Sequence, residues 1–346
     1  MDDRDDEFER GIRTVEREIA EFEEELRDVE PVEMGSEARR LDRERTTTER
    51  MRLPLSTLRR LALLGVVYVV GLAAMLPLFD AARPGLPLVP TVVAVAFAFE
   101  LMDSAAGMGF GTALAPLLFV LGYTPLQVTA TLLISESVTG LVSGGVHHEL
   151  ENVRFSLRPP NDEMEIVLLL GGVGGLASVA SIVLVYFALR PPASFVETYV
   201  AVLVLLMGLV GLVRARTVQT IRYRPRRLAA FAFLAGVNKG VGGGGFGPVV
   251  TLGQILSGVY EKSATAIASL AESVVSLVGV VTFFVLTTQG VAVDLTLLPS
   301  IYTGGFVAAV GAPYLVRVVP NAVWRYVIPL YAFGIGVLGL TAGLGL

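Results

Sequence analysis

Five apolar runs, 58–79, 164–189, 193–214, 262–287 and 321–344, are each long enough to cross a bilayer as a helix, which takes about 20 residues. Two more, 125–147 and 294–317, have the length but carry polar residues inside. Between them lie shorter apolar stretches in pairs, 88–103 with 108–121 and 226–240 with 246–258, each pair interrupted by glycine. These are too short to span comfortably, so the pattern predicts two broken or re-entrant half-helix pairs set among seven full spans. Ahead of all of them, Phe8, Ile12, Val15, Ile19, Phe22, Leu26 and Val29 alternate spacings of four and three, the seam of a heptad helix over 8–30 that Pro31 stops. Two readings of that helix stay open: a solvated amphipathic helix packed on a neighbour, or a short coiled coil that makes a homodimer through residues 8–30. Residues 32–52 have no periodicity and read as a linker.

Set against itself at an offset of 136 residues, the chain repeats without a gap. Phe97 falls on Phe233, and Gly107-Met108-Gly109-Phe110-Gly111 falls on Gly243-Gly244-Gly245-Phe246-Gly247. Gly122 falls on Gly258, Thr129-Ala130 on Thr265-Ala266, and Glu136-Ser137-Val138 on Glu272-Ser273-Val274. Apolar matches arise by chance between membrane segments; a Glu-Ser pair and a GxGFG in one register do not. The expected organisation is an acidic segment 1–52, a first transmembrane helix 58–79, and two repeats over 88–214 and 226–344. Three spans separate the two broken pairs, an odd number, so the pairs enter from opposite faces. The fold expected is therefore all-α: a membrane protein with an inverted-repeat helical core of the kind that secondary transporters use, plus a soluble N-terminal amphipathic helix.

Composition sharpens this. Of 346 residues 53% are hydrophobic and 17% charged, and the mean hydropathy is +0.66, values that exclude a disordered chain and an ordinary soluble domain. Residues 1–52 hold 19 Asp and Glu against 11 Arg, which leaves 13 acids and 16 bases for the remaining 294 residues. There are no cysteines, so disulfides and thiolate metal sites are excluded. No basic stripe with interleaved aromatics argues for nucleic acid. Met1-Asp2-Asp3-Arg4 is no signal peptide, so the first fifty residues are expected to stay where they are made. Arg50, Arg52, Arg59 and Arg60 flank the first span, and Arg214, Arg216, Arg222, Arg224, Arg226 and Arg227 fill the connection after residue 213. Arg154 and Arg158, and Arg317 and Arg325, mark two further connections. The positive-inside rule then puts the N-terminus in the cytoplasm and the C-terminus outside a multi-pass plasma-membrane protein.

Four groups carry candidate chemistry. Gly107, Gly109 and Gly111 precede Phe110's half-helix, and Gly242 to Gly245 with Gly247 precede or open that of Phe246. Freed N–H groups at two half-helix tips would suit an anion near the midplane, although small-residue motifs also serve close packing. No Gly-Lys-Ser/Thr follows and no βαβ unit exists, so neither motif reads as a nucleotide fingerprint, and no cofactor is expected. Lys239, beside Asn238, is a charge inside an apolar stretch; it either pairs with its repeat-mate Asp103 or attracts an anionic substrate. Glu136 with Ser137, and Glu272 with Ser273, fall in mid-span, where an uncompensated carboxyl is neutral and either carries a proton on each cycle or bonds a freed carbonyl. His147-His148 with Glu149 and Glu151 sit at a membrane boundary without a third histidine, so no metal site is expected. Glu100, Gln127, Thr129, Gln254 and Thr265 complete the polar lining.

The doubled glycine break, GMGFGTALAPLLFVLGYTPLQVTATLLISESVTGLVSG at 107–144 and NKGVGGGGFGPVVTLGQILSGVYEKSATAIASLAES at 238–273, together with HHELENVRF at 147–155, resembles the sulfite exporter (TauE/SafE) family of membrane transporters over residues 60–344. That resemblance implies a small sulfur-containing anion, of the sulfite, sulfonate or thiosulfate class, as substrate, with the glycine segments, Lys239 and Pro248 lining its site. Two departures are plain: Gly107-Met108-Gly109 is a sparser glycine run than the family pattern, and the acidic heptad extension lies outside the family core. The expected activity is secondary transport by alternating access, with proton coupling as one form of it. Two rivals remain, a membrane enzyme acting on a lipid phosphate and a non-transporting interaction module recruited through its coiled coil. The enzyme would need phosphate-binding arginines and a base at membrane depth, and no arginine or histidine lies inside a span away from its end.

Overall fold

In the computed structural model, the described residues are 40, 44–79, 86–107, 110–189, 191–215, 223–291, 293–319 and 321–343. The heptad segment 8–30 and Gly109 lie outside them. The described chain is α-helical. A short helix α1 (Thr47–Met51) leads into α2 (Leu55–Met75), α3 (Pro90–Ala106), and a π-helical turn Phe110–Leu114 that continues as α4 (Ala115–Val120). Then follow α5 (Pro125–Glu149), α6 (Asp162–Ile182) with a π-helical extension Val183–Leu189, and α7 (Ala193–Ala215). The second half holds α8 (Pro225–Gly242), α9 (Phe246–Leu256), α10 (Glu261–Thr287), α11 (Leu298–Val318) and α12 (Asn321–Gly343).

The starts are written in the sequence. Pro90, Pro125 and Pro225 open α3, α5 and α8, where a missing N–H costs nothing. The Thr124 hydroxyl accepts from the Gln127 amide, and Asn161 caps α6 by accepting from the Met164 amide, ahead of Asp162, Glu163 and Glu165 in the positive first turn. Thr46 and Glu49 bond each other's backbone amides in a capping box at α1. Five of the described helices are long and apolar enough to cross a membrane. Helices α7 and α12, at 23 residues each, reach roughly 34 Å. Along α2 only 6% of the apolar window is buried, and Leu63, Val66, Val69 and Val70 point outward. In a chain of this hydropathy such a face belongs to lipid.

The span expected over 164–189 is present as one helical run over Asp162–Leu189, which passes from α to π geometry at Val183. The extension carries Tyr186, whose hydroxyl bonds the Val241 carbonyl at 3.0 Å near the end of α8.

Packing makes the two halves mutually dependent. Helix α3 lies along α11, and α8 lies along α6, so each half completes the other. The repeat-mates α5 and α10 pack on each other, and the order of their contacts is reversed. Leu133 meets Gly279, the Ser137 carbonyl accepts from the Ser273 hydroxyl at 3.0 Å, and Gly144 meets Leu270. Helices α7 and α12 are likewise antiparallel, through Ala201 with Gly339, Leu205 with Gly336 and Gly208 with Phe333. Equivalent helices that run antiparallel against each other require a twofold axis across the bundle. Ser137 and Ser273, which are repeat-mates and touch, lie beside it. The positive backbone angles repeat too: φ is 68° at Gly107 and 72° at Gly243, and 91° at Gly122 and 94° at Gly258.

Candidate functional site

Both breaks are built alike. Helix α3 closes with the Gly107 amide on the Asp103 carbonyl at 2.6 Å, and α8 with the Gly243 amide on the Lys239 carbonyl at 2.9 Å. Both glycines take left-handed conformations that side chains disfavour. Beyond each break Phe110 and Phe246 are fully buried and lock the half-helices into the apolar core. The two breaks then meet backbone to backbone. A Cβ on Gly111 would stand 2.4 Å from the Gly243 carbonyl oxygen and 2.9 Å from Glu136 Oε1, and one on Gly244 would stand 2.4 Å from the Gly111 carbonyl oxygen. Glycine at these two positions is what allows the approach.

At this crossing Lys239, with no exposed surface, donates to Glu136 Oε2 and to Glu272 Oε1, the latter at 2.6 Å. The Ser276 hydroxyl adds a long bond to Glu136 at 3.4 Å. A single ammonium from α8 thus joins carboxylates from α5 and α10 that are each other's repeat-mates. The pairing expected with Asp103 is not the one formed. Asp103 Oδ1 accepts the Phe110 amide at 3.2 Å and caps its own half-helix. Side-chain length explains the divergence: Asp103 and Lys239 occupy equivalent cap positions, but one methylene reaches only the local break, whereas four reach across to the neighbouring helices.

The tips also differ from the expectation of two free anion-binding ends. The Phe110 amide is taken by Asp103, and the Gly245 amide donates to Thr112 Oγ1 at 2.9 Å. Thr251 bonds the Gly107 carbonyl at 2.6 Å, and Gly247 and Pro248 are buried in α9. What remains open to a ligand is side-chain chemistry. Asn238 is fully buried with neither amide atom bonded, and Glu136 Oε1 and the Ser135 and Thr139 hydroxyls beside it also lack partners.

The other polar residues have local tasks. The Ser137 hydroxyl bonds the Ile134 carbonyl and Thr265 the Lys262 carbonyl. Gln254 bonds the Ala264 carbonyl, and Gln127 reaches Asp294 and Thr296 at the rim. The Thr129 and Tyr186 hydroxyls pair at 2.9 Å. His147 is buried against the Ser104 carbonyl and Asn152, and His148 accepts the Phe155 amide. Glu149 pairs with Arg60, and Glu151 with Arg45. The chain before α2 is tied across this edge by Arg317, which donates to the carbonyls of Glu49, Arg50 and Leu150.

Reading by repeat offset missed the Lys239 bridge because it compared Lys239 with its own mate. A count of buried charge finds it: two mid-span glutamates need a cation, and the one base at that depth is Lys239.

The family model described as sulfite exporter TauE/SafE matches residues 92–339. A relative, named probable membrane transporter protein YtnM, of Bacillus subtilis (strain 168), is 26% identical over 244 residues, covering 64% of this chain and 74% of that protein. No solved structure matches.

Proposed function

The chain belongs to the sulfite exporter TauE/SafE family of membrane transporters, and on that premise we propose that it moves a small sulfur-containing anion by alternating access, with Lys239 passing from the glutamate pair to the anion. The observation that carries this reading is the buried bridge Glu136–Lys239–Glu272 beside two glycine breaks in contact. One cation shared by two carboxylates leaves the bridge net negative when all three groups are ionised. An anion brought to about 4 Å from Lys239 gains roughly 4 kcal/mol at an effective dielectric of 20, and a carboxylate at similar range takes back about as much. With two carboxylates present the sum is repulsive. Protonation of one of them cancels that net repulsion and leaves the lysine to balance a single carboxylate, so proton uptake accompanies anion entry. Asn238, with a free donor and a free acceptor, and the glycines Gly107, Gly111 and Gly243–Gly245 of the two breaks line the same place. The glycines let the two breaks shift against each other as access alternates, and Ser137 and Ser273 hold α5 and α10 together at the axis.

In this reading the N-terminus and the basic connections face the cytoplasm, and the C-terminus lies outside. A lipid-phosphate enzyme is disfavoured because the buried cluster is acidic and its one cation is already shared. The test is uptake of labelled sulfite and thiosulfate into proteoliposomes under imposed pH and voltage gradients. Uptake that Lys239→Met abolishes supports the proposal. If no anion of this class moves under either gradient, transport of sulfur anions is refuted.

A further inference from the structure

Glu100 is a buried carboxylate that the exchange at Lys239 leaves unused. It is 2% exposed on α3; Oε1 accepts from the Ser104 hydroxyl at 2.7 Å, and Oε2 has no partner. Its repeat-mate is Gly236, so the second half has no counterpart.

The packing fixes its depth. Helices α3, α5 and α11 run in the same direction, since Val89 meets Ser300 and Val93 meets Gly304, while Ser135 and Thr139 meet Gly305 and Asn152 meets Pro313. Glu136, between Ser135 and Thr139, is therefore level with Phe97, which also abuts Gly304. Deeper along the same direction, His147 Nε2 bonds the Ser104 carbonyl at 2.9 Å. Glu100 stands between these two levels, on the side of the glutamate pair toward Arg317 and the α5–α6 connection.

The groups that act on Glu100 from the helices around it are Glu136 of α5, Lys239 of α8 and Glu272 of α10. Asp103 stands on its own helix, where Tyr331 of α12 also acts on it. From α11, Tyr302 turns its hydroxyl to the Val67 carbonyl and Arg317 stays at the rim. His147 is no relay. Its Nε2 must donate to a carbonyl, and its Nδ1 accepts from Asn152, whose amide nitrogen also bonds the Pro313 carbonyl. The ring is held neutral and positions Ser104. On the opposite side of the pair the lining is hydroxyl, from Thr129 and Tyr186.

We propose that Glu100 is the proton station between the Glu136–Glu272 pair and the face that carries Arg317. This rests on the proton-coupled reading given above. The proton leaves a carboxyl oxygen of Glu136 or Glu272, crosses by way of water to Oε2 of Glu100, and is released to water at the Arg317 face. One O–H bond breaks for each that forms, and no electrons are exchanged.

The experiment compares wild type with Glu100→Gln in proteoliposomes, reading labelled-thiosulfate exchange and thiosulfate-driven proton movement separately. Thiosulfate suits because it does not itself titrate near neutrality, and glutamine matches the protonated carboxyl in size and donor while being unable to titrate. The expected result is exchange retained with proton movement cut by roughly a hundredfold, the scale on which a positioned proton-transfer group acts. Wild-type proton movement in Glu100→Gln overturns the assignment, and so does equal loss of both fluxes, the signature of a structural role. If Glu100→Gln does not give a monodisperse protein, Glu100→Asp carries the test: a lowered proton-to-thiosulfate ratio supports the assignment and an unchanged ratio overturns it. Thiosulfate transport by wild type without any protons refutes instead the coupled reading on which the assignment stands.

Discussion

Replacing Lys239 by methionine keeps the length of the side chain and removes its charge. Glu136 and Glu272 then face each other with no cation, and only the 3.4 Å bond from Ser276 remains to Glu136. Removing one partner of a buried ionic cluster costs about 3–5 kcal/mol. At roughly 2–4 °C per kcal/mol for a large domain, the melting temperature falls on the order of 10 °C. The triple variant Lys239→Met, Glu136→Met, Glu272→Met removes the stranded charges as well, and most of that loss is expected to return, because a buried ionic cluster exchanged for hydrophobic side chains of similar volume is close to neutral in stability. Transport stays absent in both variants. The assay is thermal unfolding in detergent alongside thiosulfate uptake. A single variant that melts within about 2 °C of wild type, or a triple variant no more stable than the single one, refutes the claim that this charge cluster ties α5, α8 and α10 together.

Gly111→Ala drives a methyl group into the Gly243 carbonyl, against backbone that cannot swing aside, and is expected to cost about 1–3 kcal/mol and to stop uptake; Gly145→Ala, helical and with nothing within 4 Å, is the control and leaves both unchanged. The double exchange Asp103→Lys with Lys239→Asp does not restore transport, since an aspartate at 239 is too short to bridge α5 and α10; recovered uptake would restore the direct pair. At α1, the Thr46 amide and hydroxyl hold the Glu49 carboxyl below its ordinary range. Its contribution is present above the unfolded value, near 4.3, and disappears as pH falls through the lower folded one. Amide exchange over residues 46–49, corrected for intrinsic rate, should therefore rise only at acid pH, and in Glu49→Gln it should be insensitive to this change.

Much of the fold was legible in the chain because membrane burial leaves a coarse record. Runs of about twenty apolar residues locate α2, α6, α7, α10 and α12, and the two runs with polar residues inside locate α5 and α11; the prolines and glycines that punctuate them are backbone requirements that survive in any context. The repeat was legible for a related reason: Glu136-Ser137 and Glu272-Ser273 are too costly at mid-span to recur by accident. The site was harder. An offset comparison names equivalent residues, but a twofold axis brings together only those equivalents that lie beside it. Ser137 and Ser273 do, and so do Glu136 and Glu272 through one shared lysine. Asp103 and Lys239 lie off the axis, so equivalence did not become contact. The tips were misjudged for want of a further fact, that an acid placed seven residues before Phe110 folds back onto its amide. The π-helical stretch around Tyr186 has no proline or glycine to announce it.

The central claim is that an anion takes Lys239 from the glutamates and that a proton takes the place of the lysine. Calorimetric titration of thiosulfate into the purified transporter, in two buffers of different ionisation enthalpy, reads that exchange directly. Net proton uptake with each bound anion, diminished in Glu136→Gln and in Glu272→Gln, is the predicted result. Binding heats that are the same in both buffers would contradict it.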